Sequence, residues 1–265
     1  MQIIGQDKLL TFIDSQTLTT LPRTIMLEGT SGSGKHLICN YISDKFCLEQ
    51  QDISDSLTYE TIEQINLKVR PYLYIIDASK ITVKNENAIL KFLEEPLKNA
   101  FIVILTDNRY NQIETIRNRC HIMVMAKYDR QQLKQFIKNE EDENVILTIC
   151  STPGDIVKMQ AHPIKDMLDL CIKILDKIGV ASFANTLTLT NNLAFKNEQD
   201  KYDPVIFFKT LLYISKCRVL NNEPNAINEF NLTNDFNNRL SVRNVDKKAL
   251  FENYLLCLKK MRMGI

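Results

Sequence analysis

The 265-residue chain is short of several things, and each shortage removes a class of function. It has no surplus of either charge: 33 lysines and arginines face 32 aspartates and glutamates, a net +1. That balance excludes a polybasic nucleic-acid coat and an acidic disordered tail. It leaves DNA open as a partner, because a local basic lining can act inside a neutral whole. No run of about 18 apolar residues occurs, which excludes a transmembrane helix and a membrane partner of that kind. The opening residues Met1 to Gln6 have neither a basic flank nor a small-residue cleavage site, so no signal peptide and a cytoplasmic setting are expected. There is no CxxC pair: Cys39, Cys47, Cys120, Cys150, Cys171, Cys217 and Cys257 stand singly, and only His36, His121 and His162 could add imidazole. Zinc held by thiolates needs paired ligand spacing and is excluded. Scattered cysteines read instead as small buried hydrophobes in a reducing compartment. No internal repeat is evident. What remains, 45% hydrophobic and 25% charged residues, is an ordinary globular composition long enough for two or three domains.

The hydrophobic pattern divides the chain. Thr24 to Glu28, Tyr72 to Ile76, Phe101 to Leu105 and His121 to Met125 read as strands, the first two as buried ones. Between them lie helical patterns: Lys35 to Phe46 with Leu37, Ile38, Tyr41, Ile42 and Phe46 on one face, Leu57 to Leu67, and Asn87 to Glu95 stopped by Pro96. Alternation of strand and helix predicts an α/β domain built on a mainly parallel sheet covered on both faces. From Asp129, a helix cap, short helices are expected with Leu133, Phe136 and Ile137 facing inward; the acidic run Glu140 to Glu143 reads as a solvated loop. Val145 to Cys150 is a further helix ending at Thr152-Pro-Gly-Asp155, and His162-Pro163 marks a break. Beyond Ile164 only helical patterns and Asn-rich loops follow. The expected domains are 1–128 (α/β), 129–163 (a small helical lid) and 164–265 (all-α). Residues 1–163 carry net −3 and residues 164–265 net +4.

Gly29-Thr30-Ser31-Gly32-Ser33-Gly34-Lys35 lies between a strand and a helix, with the GxxxxGK spacing of a phosphate-binding loop. Its glycines let successive N–H groups point inward, the helix N-terminus adds a positive dipole, and Lys35 reaches the outer phosphates. ATP or ADP is the expected ligand class. The next position normally supplies a Ser or Thr hydroxyl to Mg²⁺ and here is His36, a poor substitute for a hard cation. Asp77, at the end of a strand, can hold the Mg²⁺ shell, but the following residue is Ala78, where hydrolytic relatives usually place the Glu that orients the attacking water. Efficient hydrolysis at this chain's own site is not expected.

These motifs, with Ile4-Gly5-Gln6, Ile75-Ile76-Asp77-Ala78, Asn87-Ala-Ile-Leu-Lys-Phe-Leu-Glu-Glu-Pro96 and Ile116-Arg-Asn-Arg-Cys120, resemble over residues 1–160 the AAA+ clamp-loader subunits of DNA replication. Order and spacing are most similar to the delta-prime type of bacterial DNA polymerase III, in a shortened, phage-like or divergent form: only 42 positions separate Lys35 from Asp77, without the zinc module's cysteine quartet. The resemblance implies an AAA+ domain, a helical lid and a collar for oligomer assembly. It adds Ile4 and Asp107 to the nucleotide-binding set of Gly29 to His36 and Asp77, Asp107 standing at a sensor position where Asn or Thr is usual. It implies that Arg119 is an arginine finger completing a neighbouring subunit's ATP site. Gly154-Asp155-Ile156-Val157 resembles a Gly-x-x-Arg sensor segment with valine in place of arginine, and Lys158 beside it points elsewhere on a helix. Lys80, Thr82 and Lys84 are candidate contacts to DNA phosphates, equally readable as a solvated basic loop.

The implied partners are other clamp-loader subunits, a sliding clamp and primer–template DNA. The implied role is a subunit that does not hydrolyse ATP but serves a neighbour that does. A catalytically active AAA+ ATPase, of a clamp loader or another DNA-remodelling complex, is the alternative. An unrelated P-loop enzyme such as a nucleotide kinase would need an arginine-rich lid and would lack the Leu-Glu-Glu-Pro and Arg-Cys elements.

Overall fold

The computed structural model describes residues 3–58, 65, 70–94, 99–178, 202–240 and 245–263, with the backbone only at 83–86. They fall into two compact units, 1–132 and 133–265.

The first unit is built on five strands, β1 (Thr24–Glu28), β2 (Glu49–Asp52), β3 (Tyr72–Asp77), β4 (Ala100–Thr106) and β5 (His121–Val124), in the order β2-β3-β4-β1-β5. Every pairing is parallel. The period-2 alternation of strand side chains sorts their apolar residues into two cores. Ile25 and Leu27, Leu73 and Ile75, and Phe101, Val103 and Leu105 join Leu9 and Ile13 of α1 (Asp7–Ser15) and Ile38, Cys39 and Ile42 of α2 (Lys35–Phe46). Met26, Tyr74, Ile76, Ile102 and Ile104 face the other way, onto Ala88, Ile89, Phe92 and Leu93 of α3 (Val83–Glu94) and Ile116 of α4 (Glu114–Arg117). Each such side chain, fully buried, contributes about 1.5–3 kcal/mol.

The four expected strands form, and the sheet is parallel throughout. A fifth strand is added: β2 reads Glu-Gln-Gln-Asp, with no apolar period, and is a strand because its backbone pairs with β3 at the sheet edge, where polar side chains face water. Helix α3 begins at Val83, four positions ahead of the expected start at Asn87. Of the helix expected over 57–67, Leu57 and Thr58 are not helical and Ile65 is; the rest, like Pro96, lies outside the described residues.

Parallel strands end at one edge of the sheet, and there the loop after β1, Asp77 at the end of β3 and Asp107 after β4 meet, the usual ligand-binding edge of such sheets.

At the boundary, α5 (Arg130–Lys134) is capped reciprocally: Gln132 N donates to Asp129 Oδ1 (2.8 Å) and Asp129 N to Gln132 Oε1 (3.0 Å). It stops after Lys134, so Phe136 and Ile137 sit half-buried in turns, not on a helix face as expected. The acidic run is not a loop: Glu140–Asp142 is a 3₁₀ turn leading into α6 (Glu143–Ile149). Helices α7 (Pro153–Met159), α8 (Ile164–Lys177), α9 (Pro204–Leu220), α10 (Ala226–Arg239) and α11 (Lys247–Met263) complete the second unit. Phe207, Phe208, Phe251, Tyr254 and Phe236 form a chain of mostly edge-to-face rings at its centre. Helix α9 packs against α6, α7, α8 and α10, so helices the sequence pattern divides between lid and collar share one compact unit. Among the described residues, no helix is long and apolar enough to cross a membrane.

Candidate functional site: the phosphate loop and the Arg119 face

The loop between β1 and α2 needs its glycines for two reasons. Gly32 and Gly34 take φ of +78° and +93°, the left-handed region that favours glycine. Gly29 is closely packed: a Cβ there would lie 2.6 Å from Met125 Cγ and 2.8 Å from Ser33 Oγ. Gly34 is the N-cap of α2, and no side chain caps that helix. Ser33 is buried with an unpartnered hydroxyl, and its carbonyl accepts from the Tyr128 hydroxyl at 2.8 Å. Tyr128 thus ties the loop to the segment after β5.

Lys35 lies in the loop with its ammonium already engaged. It donates to the Gly29 carbonyl and forms an ion pair with Asp107, its side chain 12% exposed against 62% for Asp107. His36 is exposed. Asp77 Oδ1 accepts from Ser79 N (2.8 Å), capping the 3₁₀ turn Ala78–Lys80, and Asp77 N donates to Ser54 Oγ (2.8 Å). Ala78 is buried.

The donor set fits a polyphosphate: a cation, a positive-φ glycine loop and an N-terminus without a side-chain cap all favour an anion. It does not fit Mg²⁺ by the motif's usual route. Imidazole replaces the hydroxyl at position 36, and an oxygen of Asp77 is spent on its own turn. No cluster of three or more His, Cys, Asp or Glu side chains able to hold a metal ion occurs among the described residues.

Ile4 lies half-buried ahead of α1. The two residues after it carry the structural role. Gln6 is buried and clamps the backbone after β5 through Nε2 to Ala126 O (3.0 Å) and Ala126 N to Oε1 (2.8 Å). Gly5 (φ +72°) leaves space beside Gln132 that a Cβ would close to 2.9 Å.

Arg119 follows α4. Its Nη1 donates to Thr115 O (2.8 Å) and its Nη2 pairs with Glu94 Oε1 (2.5 Å), the last residue of α3, leaving the side chain 35% exposed. A carboxylate at a helix C-terminus is unfavourable against the macrodipole, and the guanidinium offsets it. Cys120 packs behind; burial pushes its thiol up to about 12, and Sγ donates to Ile116 O. Burial does the same to Cys39 and Cys150, both to about 12, as packing groups rather than nucleophiles. Nearby, the guanidinium groups of Arg109 and Arg117 lie 5.3 and 5.1 Å from the ring centre of exposed Tyr110.

The DNA-contact candidates separate. Lys80 pairs with Asp55 (2.6 Å), Thr82 is exposed ahead of α3, and the Lys84 side chain lies outside the described atoms. In the second unit, Val157 is 64% exposed on α7 and Lys158 pairs with Asp203 (2.8 Å). Asp155 is the N3 residue of a capping box with Thr152, and its carboxylate binds Lys209 (2.7 Å) on α9.

Sequence reasoning assigned Lys35, Asp107, Asp77 and Arg119; the structure brings Lys35 and Asp107 into contact. Tyr128, Gln6 and Glu94 were missed. Gln6 lies within the Ile-Gly-Gln motif and Glu94 within Leu-Glu-Glu-Pro, so the motifs held a signal; Tyr128 had none.

Residues 57–129 match the family model described as "DNA polymerase III, delta subunit". DNA polymerase III subunit delta' of Bacillus subtilis (strain 168) is 35% identical over 65 residues, 24% of this chain and about one fifth of that relative's length. Among solved structures, a DNA polymerase III gamma subunit-related protein of Thermotoga maritima MSB8 superposes with a TM-score of 0.52 at 16% identity, covering 97% of this chain and 99% of that one. The Thermotoga maritima RuvB Holliday junction branch migration motor gives 0.51 at 16%, covering 80% and 78%. Fold and loop define the class: the chain has the AAA+ P-loop fold, with a helical C-terminal region. Its central segment is similar in sequence to the delta and delta' subunits of DNA polymerase III.

Proposed function

We propose that the chain is a clamp-loader subunit that does not turn over ATP itself and lends Arg119 to the ATP site of a neighbouring subunit. It does so while a sliding clamp is placed on primer–template DNA in the cytoplasm. The supporting observation is an asymmetry within one unit. At the loop, a buried Ala78 stands where a water-orienting Glu is needed and Lys35, paired with Asp107, keeps 12% of its side chain exposed; Arg119, paired with Glu94, keeps 35%. A guanidinium is permanently charged and planar, suited to stabilising charge on a phosphoryl group in transfer. Its ion pair with Glu94 holds the group in one orientation, which lowers the entropy cost of presenting it. Lys35 and the loop amides would hold a nucleotide's phosphates, which in the bound state supply the charge that orients the loop; the residues that would activate water are not there. In this reading the two helical parts act as lid and collar, and Lys80, Thr82 and Lys84 lie near the DNA path.

The test is reconstitution with the partner subunits, comparing ATPase rates for wild type, Lys35→Ala and Arg119→Ala. Arg119→Ala is expected to lower the rate of the complex by about 10³-fold or more, and Lys35→Ala by far less. The reverse order would establish the alternative, an ATPase active at its own loop.

A further inference from the structure

We propose that Asp107 is a built-in competitor for the phosphate-loop lysine, and that it biases the site toward nucleoside diphosphates and against triphosphates. The inference rests on reading the loop as a nucleotide site and concerns which nucleotide it takes.

A phosphate-loop lysine reaches the outer phosphates of its ligand. Here that ammonium is held by the Asp107 carboxylate on one side and the Gly29 carbonyl on the other. Asp107 follows directly on β4, whose last residue, Thr106, is in register with Glu28, the residue ahead of the loop. The carboxylate is therefore placed by the sheet, not by a wandering loop. The next residues fix it further. Thr106 Oγ1 donates to Asn108 O (3.0 Å), Asn108 caps the 3₁₀ turn Arg109–Asn111, and Arg109 N donates to Glu28 Oε1 (3.2 Å).

Two consequences follow from charge. The Asp107 side chain is 62% exposed, so water screens the pair and an incoming phosphate can take the lysine from it. Once displaced, the carboxylate stays beside the outermost phosphate as a like charge. Its repulsion grows with the number of phosphates that reach Lys35. A diphosphate places less negative charge against Asp107 than a triphosphate does. An asparagine would remove the competitor and the repulsion together while keeping the shape.

The test is calorimetric titration of the full chain with ATP and with ADP, for wild type, Asp107→Asn and Lys35→Ala, at low and high salt. Circular dichroism establishes that each variant is folded. The expected result is that wild type binds ADP more tightly than ATP. Asp107→Asn should gain about tenfold or more for ATP and less for ADP, with the ATP gain shrinking as salt rises. Lys35→Ala should weaken both nucleotides. Binding of both nucleotides with an ATP-to-ADP ratio unchanged in Asp107→Asn would overturn the role of Asp107 and leave the nucleotide site standing. Absence of binding in wild type and in folded Asp107→Asn alike would overturn both.

Discussion

Beside the candidate site of the first unit the carboxylates stay in water: Asp107, Asp55 and Glu94 keep 62%, 83% and 51% of their side chains exposed. In the second unit the side chains of Asp155 and Glu229 are only 8% and 4% exposed; Asp155 accepts from Lys209, Ser151 and Thr152, and Glu229 is held through Oε2 by Arg262 while its buried Oε1 has no hydrogen-bond partner. No other carboxylate among the described residues is buried to that degree. The difference separates two uses of charge. An exposed pair contributes about 0–1 kcal/mol and is free to exchange its partner for a phosphate. A buried one cannot be exchanged without a desolvation penalty, so it joins helices instead. Glu229 of α10 binds Arg262 of α11 at 2.5 Å and lies 3.6 Å from Arg218 of α9, so one carboxylate ties three helices.

The largest effect should therefore come from breaking that tie. Glu229→Ala leaves Arg262 and Arg218 without their shared anion and is expected to destabilise the second unit by about 2–3 kcal/mol. This is less than for a fully buried pair, since both guanidinium groups keep some contact with water. Chemical denaturation reads the loss, and nucleotide affinity at the loop should stay the same. If Glu229→Ala cost no more than Glu94→Ala, the contrast between the units would fail.

Gly29→Ala tests the other side. The new Cβ would fall within 2.8 Å of Met125 Cβ, which cannot swing away as a chain end could. An overpacked position of this kind costs about 1–3 kcal/mol. Here stability and nucleotide affinity should fall together, because the atoms that pack the loop also shape it. A stable Gly29→Ala variant with normal stability and affinity would show that Met125 yields.

How much of this was legible in the sequence follows the same division. Strands β1, β3 and β4 could be read because their apolar residues meet two cores; β2 could not, since a polar edge strand is defined by its partner's backbone. The phosphate loop and the Arg119 segment are readable because each is a short contiguous motif. What those residues touch was not: Lys35 and Asp107 are 72 positions apart, and Arg119 and Glu94 are 25 apart. Asp155 lies in the stretch that resembles a sensor segment, yet its contacts are a capping box and, 54 positions on, Lys209. The buried charges of the second unit gave no signal, because a carboxylate in an amphipathic helix reads as a solvated face until its partner helix is placed.

The smallest effect concerns Asp203, which lies between the two kinds of charge. It caps α9, accepting from Val205 N (3.0 Å) and Ile206 N (3.2 Å), and pairs with Lys158. Partial burial pushes its pKa up, but the Lys158 ammonium and the two amides outweigh that and hold it below its ordinary 3.8. A carboxylate lowered on folding stabilises the native state above its unfolded pKa, and that contribution disappears as pH falls through the folded value. Asparagine also caps helices, so Asp203→Asn removes the charge while keeping a cap. At neutral pH the variant should be less stable by about 0.5–1 kcal/mol, in the range of a partly exposed pair. As pH falls through that lowered folded value the wild-type carboxylate becomes protonated and the gap should close. Denaturation midpoints followed from pH 7 down into the acid range read this directly. A gap that persisted at low pH would mean that shape or capping, not charge, gives Asp203 its role, and would move it from the exchangeable pairs of the first unit to the fixed ones of the second.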